Sequence, residues 1–208
     1  MMDSRVHKHP KKAEHSLKIL MLGDSGAGKT SLLVRLSQNT FNPAYITTIG
    51  VDILSKQIQC ADQVVNLKIW DTAGQERYQT LTKQYFLNID GIVLVLNLLS
   101  LDSFNHLGKW LDLIKLQGRL QNIDIIIAGN KCDCDEDAKV VDSQEIETFA
   151  REHNLLYLET SAKTGINVDK LFQTLTKKIL QRKGIQLDLR QSITIQKQKR
   201  HKKKRGWC

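Results

Sequence analysis

GDSGAGKTSLL, residues 23–33, decides how the rest of this chain is read. Ahead of it lies LKILML (17–22), short and almost wholly apolar. Behind it, SLLVRL continues at helical spacing. These flanks place the glycines between a buried strand and the first turn of a helix. In that setting the stretch fits G-x-x-x-x-G-K-[ST], with Gly23, Gly28, Lys29 and Thr30 at the fixed places. Glycines let the main chain fold tightly and aim its N–H groups at phosphate oxygens. The expected cradle comprises Gly23, Asp24, Ser25, Gly26, Ala27, Gly28, Lys29, Thr30 and Ser31. The helix N-terminus adds partial positive charge. Lys29 reaches the β- and γ-phosphates, and the Thr30 hydroxyl takes Mg²⁺. The motif implies a nucleoside triphosphate and leaves its base open.

Three later motifs narrow the chemistry. WDTAGQE (70–76) closes the apolar run VVNLKIW, and Asp71 stands where a Mg²⁺-coordinating carboxylate belongs. Gly74 lets its N–H meet a γ-phosphate, and Gln75 is placed to orient an attacking water. NKCD (130–133) follows the buried run IDIIIAG. The Asp133 carboxylate accepts two hydrogen bonds from guanine N1 and N2, a donor pair that adenine lacks. TSAK (160–163) follows the next strand and offers its backbone to the base O6. Order, spacing and strand-end placement tie the three motifs into one guanine-nucleotide site.

Charge must be located before it means anything. The net charge is +9, yet residues 182–208 hold ten Lys/Arg against one acid, while residues 13–181 hold 17 against 20. The globular part is mildly acidic, so the domain itself is not expected to grip nucleic acid. No apolar run approaches the roughly 18 residues of a membrane span. The polar N-terminus has no signal-peptide core, which reads as cytoplasmic. Cys60, Cys132, Cys134 and Cys208 show no disulfide or zinc spacing, as in a reducing compartment. DCDEDA (133–138) lacks the glycine and glutamate of a calcium loop.

Strand-like and helix-like runs alternate. Strands are expected at 17–22, 51–59, 64–70, 91–96, 123–128 and 155–158, with a hairpin turn at Ala61-Asp62. Phe104, Leu107, Leu111 and Ile114 predict one helix, with Trp110 packed on its apolar face; Ser143–His153 predicts another. Val168, Leu171, Phe172, Leu175 and Ile179 mark a last amphipathic helix. This order gives an α/β fold: six strands, mostly parallel, one antiparallel edge, helices on both faces. The expected organisation is a polar arm (1–16), one domain (17–183) and a flexible basic tail (184–208).

Together these residues resemble the Ras superfamily of small GTPases over about 17–183. The nearest likeness is to the Rab family, through TIGVD (48–52), KIWDTAGQERY (68–78), GNKCD and ETSAK. The resemblance implies a P-loop G domain that hydrolyses GTP slowly and switches between GTP and GDP states in vesicle traffic. It implies that Thr48 is the switch I threonine, binding Mg²⁺ with Thr30 and contacting the γ-phosphate, and that Phe41 and Tyr45 lie near the nucleotide. Gln75, Lys29 and Thr48 are its catalytic residues; Thr30, Thr48 and Asp71 its metal residues. Asn130, Lys131, Asp133, Ser161, Ala162 and Lys163 match its guanine site. An exchange factor, a GTPase-activating protein and effectors are expected at switch I (41–53) and switch II (72–86), on a monomer. Three places depart from the usual pattern: Ile53 stands where phenylalanine is usual, YFLNIDG (85–91) where an aromatic pair precedes arginine-glycine, and Asn97 where aspartate is usual.

KQKRHKKKRGWC (197–208) reads as an address for the cytosolic face of a membrane. Polybasic charge attracts anionic lipid, and one lipid chain on Cys208 would supply the second signal needed for stable attachment. Family analogy makes that chain a prenyl group, although a lone terminal cysteine is not the usual Rab ending. The alternative is another Ras-like branch acting in nuclear or RNA-associated processes through this tail.

Overall fold

The computed structural model describes residues 15–44, 48, 50–72, 83–117, 123–135 and 138–188. Its strands are β1 (His15–Leu22), β2 (Val51–Cys60), β3 (Gln63–Thr72), β4 (Gly91–Asn97), β5 (Asp124–Asn130) and β6 (Leu156–Thr160). They form one six-stranded sheet in the order β2-β3-β1-β4-β5-β6. Only the β2–β3 pair is antiparallel, turning at Ala61 and Asp62; the other pairs are parallel.

Strands sandwiched between helix layers bury both faces, so they read as continuous apolar runs. LKILML shows why. Leu17, Ile19 and Met21 join one core with Val93, Val95, Ile126 and Ala128, whereas Leu20 and Leu22 join the opposite core with Ile92, Leu94 and Ile127. The first core is covered by α1 (Lys29–Gln38) and α5 (Val168–Arg182) through Leu32, Leu36, Leu171, Phe172, Leu175 and Ile179. The second is covered by α3 (Leu107–Leu116) and α4 (Ser143–Glu152), with Trp110, Leu111, Ile114 and Ile146. Each such side chain contributes about 1.5–3 kcal/mol on leaving water.

Three details differ from the sequence reading. The single helix expected through Phe104–Ile114 is two helices, α2 (Leu101–Asn105) and α3, meeting at His106. Ser100 starts the first by accepting the Ser103 N–H, and the His106 side chain is held by a tertiary partner rather than by its own helix. The segment after α5 also belongs to the folded body. Ile185 and Leu187 pack against the first core, and the Asp188 N–H donates to the Asp62 carboxylate at 2.9 Å. At the other end, β1 already begins at His15. Arg182 secures the end of α5, with Nε 2.7 Å from the buried Asp124 carboxylate.

Candidate functional site

Parallel pairing points the C-terminal ends of β1, β3, β4, β5 and β6 the same way. At that edge β1 is flanked by β3 on one side and β4 on the other, and its following loop enters the crevice where connections diverge. Open α/β sheets bind ligands at such a switch point.

The loop from Gly23 to Gly28 is shaped by close approach. At Gly23, with φ +133°, a Cβ would lie 2.1 Å from the Val95 carbonyl oxygen. At Gly28, with φ +96°, it would lie 2.2 Å from Asn130 Nδ2. No other residue type fits without shifting main chain or the base loop. Gly28 then opens α1, so the helix N-terminus faces the crevice. Lys29 is buried, and its Nζ donates to the carbonyls of Gly23 (2.7 Å) and Asp24 (2.9 Å). Burial pulls its ammonium down to about 8, against the opposing charges of Asp71 and Asp24. A phosphate oxygen beside Nζ would favour the charged form.

Three oxygens meet next to this lysine. Thr30 Oγ1 donates to Asp71 Oδ2 at 2.6 Å and lies 2.6 Å from Thr48 Oγ1. Because the single Thr30 hydrogen goes to Asp71, Thr48 is the donor in that second contact. Asp71 is buried, and its Oδ1 has no hydrogen-bond partner. Burial pushes its carboxyl upward, while the Thr30 hydrogen bond and Lys29 oppose the shift and Asp52 adds to it. Two hydroxyls and a carboxylate with an orphaned buried oxygen are a hard donor set, suited to Mg²⁺.

The base-side residues stand at the ends of β5 and β6. Asp133 Oδ1 accepts from Ser161 Oγ at 2.6 Å, and Lys163 Nζ lies 3.6 Å from its Oδ2. Asn130 ties the two halves of the site together: Nδ2 donates to the Ala27 carbonyl at 2.8 Å, and Oδ1 accepts the Ala162 N–H at 3.2 Å. Its side chain therefore braces the phosphate loop against the 160–163 turn. Lys131 holds a left-handed backbone, φ 73°.

Sequence reasoning passed over three residues here. Arg35 on α1 donates from Nε to the Ala162 carbonyl (2.8 Å) and from Nη2 to the Lys163 carbonyl (2.5 Å), fixing the base turn from below. Trp110 was expected as core alone and His106 not at all, yet both reach the Asp24 carboxylate. Tyr45, Gly74 and Gln75, like Cys208 and the basic segment 197–208, lie outside the described residues. Phe41 is half-buried against the first core.

A family model described as "Ras family" matches residues 18–181. Ras-related protein Rab-10 of Diplobatis ommata is 41% identical over 178 residues, which cover 86% of this chain and 88% of that protein. Ras-related protein Rab-13 of Rattus norvegicus is 39% identical, covering 82% and 83%. GTP-binding protein ypt2 of Schizosaccharomyces pombe is 40% identical, covering 83% and 86%.

Proposed function

Since the chain belongs to the Ras family and is a Rab-like small GTPase that regulates vesicle traffic, we propose a residue-level account of how it holds and turns over its nucleotide. The family hydrolyses GTP and binds guanine nucleotides, regulators and effectors. Neither the family nor these relatives favour the nuclear or RNA-associated reading of the basic tail.

The main-chain N–H groups of residues 23–31 and the Lys29 ammonium hold the phosphates and offset charge as it moves toward the β–γ bridge. Thr30, Thr48 and Asp71 hold Mg²⁺, which when bound neutralises phosphate charge. Gln75 orients the attacking water and Gly74 senses the γ-phosphate. Asp133 accepts the guanine donors; Asn130, Lys131, Ser161, Ala162 and Lys163 complete the base pocket. Without an arginine contributed to the phosphates, turnover stays at about 10⁻⁴ to 10⁻³ s⁻¹, the intrinsic scale of the relative Ras. A GTPase-activating protein supplies the missing charge. Loss of the γ-phosphate frees Thr48 and Gly74, and partners read that change at 41–53 and 72–86. Ile53, 56% exposed and paired in register with Trp70 on β3, gives switch I an apolar contact for them.

The carrying observation is the convergence of Thr30, Thr48 and Asp71 beside Lys29, with Asp133 at the end of β5. For attachment, lipidated Cys208 and the basic segment 197–208 hold the protein at an anionic cytosolic surface. Among the described residues no helix is long and apolar enough to cross a membrane.

Calorimetry tests the pocket. Magnesium-supplied protein should take up GDP and not be displaced by ATP, and Asp133→Asn should shift preference toward xanthine nucleotides. Undiminished selectivity for guanine in that variant would reject the Asp133 assignment.

A further inference from the structure

A phosphate loop is an odd place for a carboxylate, because a triphosphate repels it. Asp24 sits at the second position of this loop, only 8% exposed, with its carbonyl already accepting from Lys29. Both oxygens of its carboxylate are engaged at the start of one helix. Oδ1 accepts from Trp110 Nε1 at 2.9 Å, and Oδ2 lies 2.9 Å from His106 Nδ1. An ionised carboxylate only accepts, so Nδ1 of His106 carries the hydrogen. The two donors are four residues apart at the start of α3, which puts them on one face. Trp110 is buried, so its indole N–H depends on this acceptor.

We propose that His106 and Trp110 are positioning residues for nucleotide retention: they hold the Asp24 carboxylate against α3, and so hold its charge off the bound phosphates. This rests on the nucleotide site assigned above. Removing a donor frees the carboxylate to turn toward the phosphates, where like charge weakens binding. It also slackens a loop whose Asp24 carbonyl helps to aim Lys29. Through these bonds, the α2–α3 junction reports to the phosphate loop across 82 and 86 positions of sequence.

The test is release of a fluorescent GDP analogue from the full-length, magnesium-supplied protein, chased with excess GDP. His106→Leu should release it about tenfold faster, and His106→Asn, which keeps a donor near the Nδ1 position, should return the rate to within about twofold of wild type. In an Asp24→Asn background, His106→Leu should change the rate by less than about twofold, because no carboxylate remains to be held. An unchanged rate in His106→Leu overturns the proposal. So does failure of His106→Asn to restore it, or an equal acceleration in the Asp24→Asn background, since a merely structural loss would not depend on the carboxylate. If His106→Leu does not fold, Trp110→Phe carries the same comparison: it removes the N–H together with the five-membered ring, and the Asp24→Asn background separates the lost hydrogen bond from the lost volume. Wild-type protein that bound no GDP would defeat the nucleotide site itself; normal binding with unchanged release defeats only this inference.

Discussion

Asn130→Ala severs the brace between the two halves of the site. The side chain is 1% exposed and makes two bonds, from Nδ2 to the Ala27 carbonyl at 2.8 Å and from the Ala162 N–H to Oδ1 at 3.2 Å. A bond lost with both partners still able to reach water nets about 1 kcal/mol, but here truncation leaves a buried carbonyl and a buried amide without these partners, at about 1–3 kcal/mol apiece. The two together centre on about 4 kcal/mol. In a domain of this size 1 kcal/mol moves the melting temperature by about 2–4 °C, so the drop should be about 8–16 °C. Differential scanning fluorimetry across a GDP titration measures it. Weaker GDP binding would lower the melting temperature further, and the titration separates that part because it depends on ligand concentration. Asn130→Asp should be no milder: its carboxylate can accept from Ala162 but cannot donate to Ala27. A melting temperature for Asn130→Ala within 2 °C of wild type at saturating GDP would refute the reasoning.

Gln75→Leu should slow single-turnover GTP hydrolysis at least tenfold while sparing GTP affinity; an unchanged rate would remove the water-orienting role. Arg35→Ala releases the Ala162 and Lys163 carbonyls, and GDP should leave about tenfold faster, about 1.4 kcal/mol, in a stopped-flow chase. A wild-type rate would mean that the turn is fixed without it. Cys208→Ser should move the tagged protein from membrane to soluble fractions in its own cell; equal distribution of the two would discard the lipid anchor.

The sequence disclosed what is local and periodic. The phosphate loop, WDTAGQE, NKCD and TSAK each follow a strand, and the structure places their described residues at one edge of the sheet. LKILML could be read as a strand because no helix-spaced polar face interrupts it, but the division of Leu17, Ile19 and Met21 from Leu20 and Leu22 needed both helix layers. What stayed hidden depends on partners far away in the chain. Nothing near His106 hints at a carboxylate 82 positions earlier, and Arg35 looks like an ordinary polar residue of an amphipathic helix until its bonds across 127 and 128 positions are seen. The α2–α3 break escaped for another reason: His106 keeps helical dihedrals and helical main-chain bonds to Asp102 and Trp110, so the apolar spacing runs through it. Ile185 and Leu187 also escaped notice, because two apolar residues after a helix carry no period.

That docked stretch after α5 moves the last anchored point of the body. The helix ends at Arg182, but six residues later the Asp188 N–H is tied to the Asp62 carboxylate beside the β2–β3 turn, with Ile185 and Leu187 seated on the way. Whatever follows residue 188 therefore departs from beside the hairpin at the sheet's edge and not from the tip of α5. Asp62→Ala, by undoing that fastening, should quicken tryptic cleavage after Lys183 while leaving the rest of the domain intact.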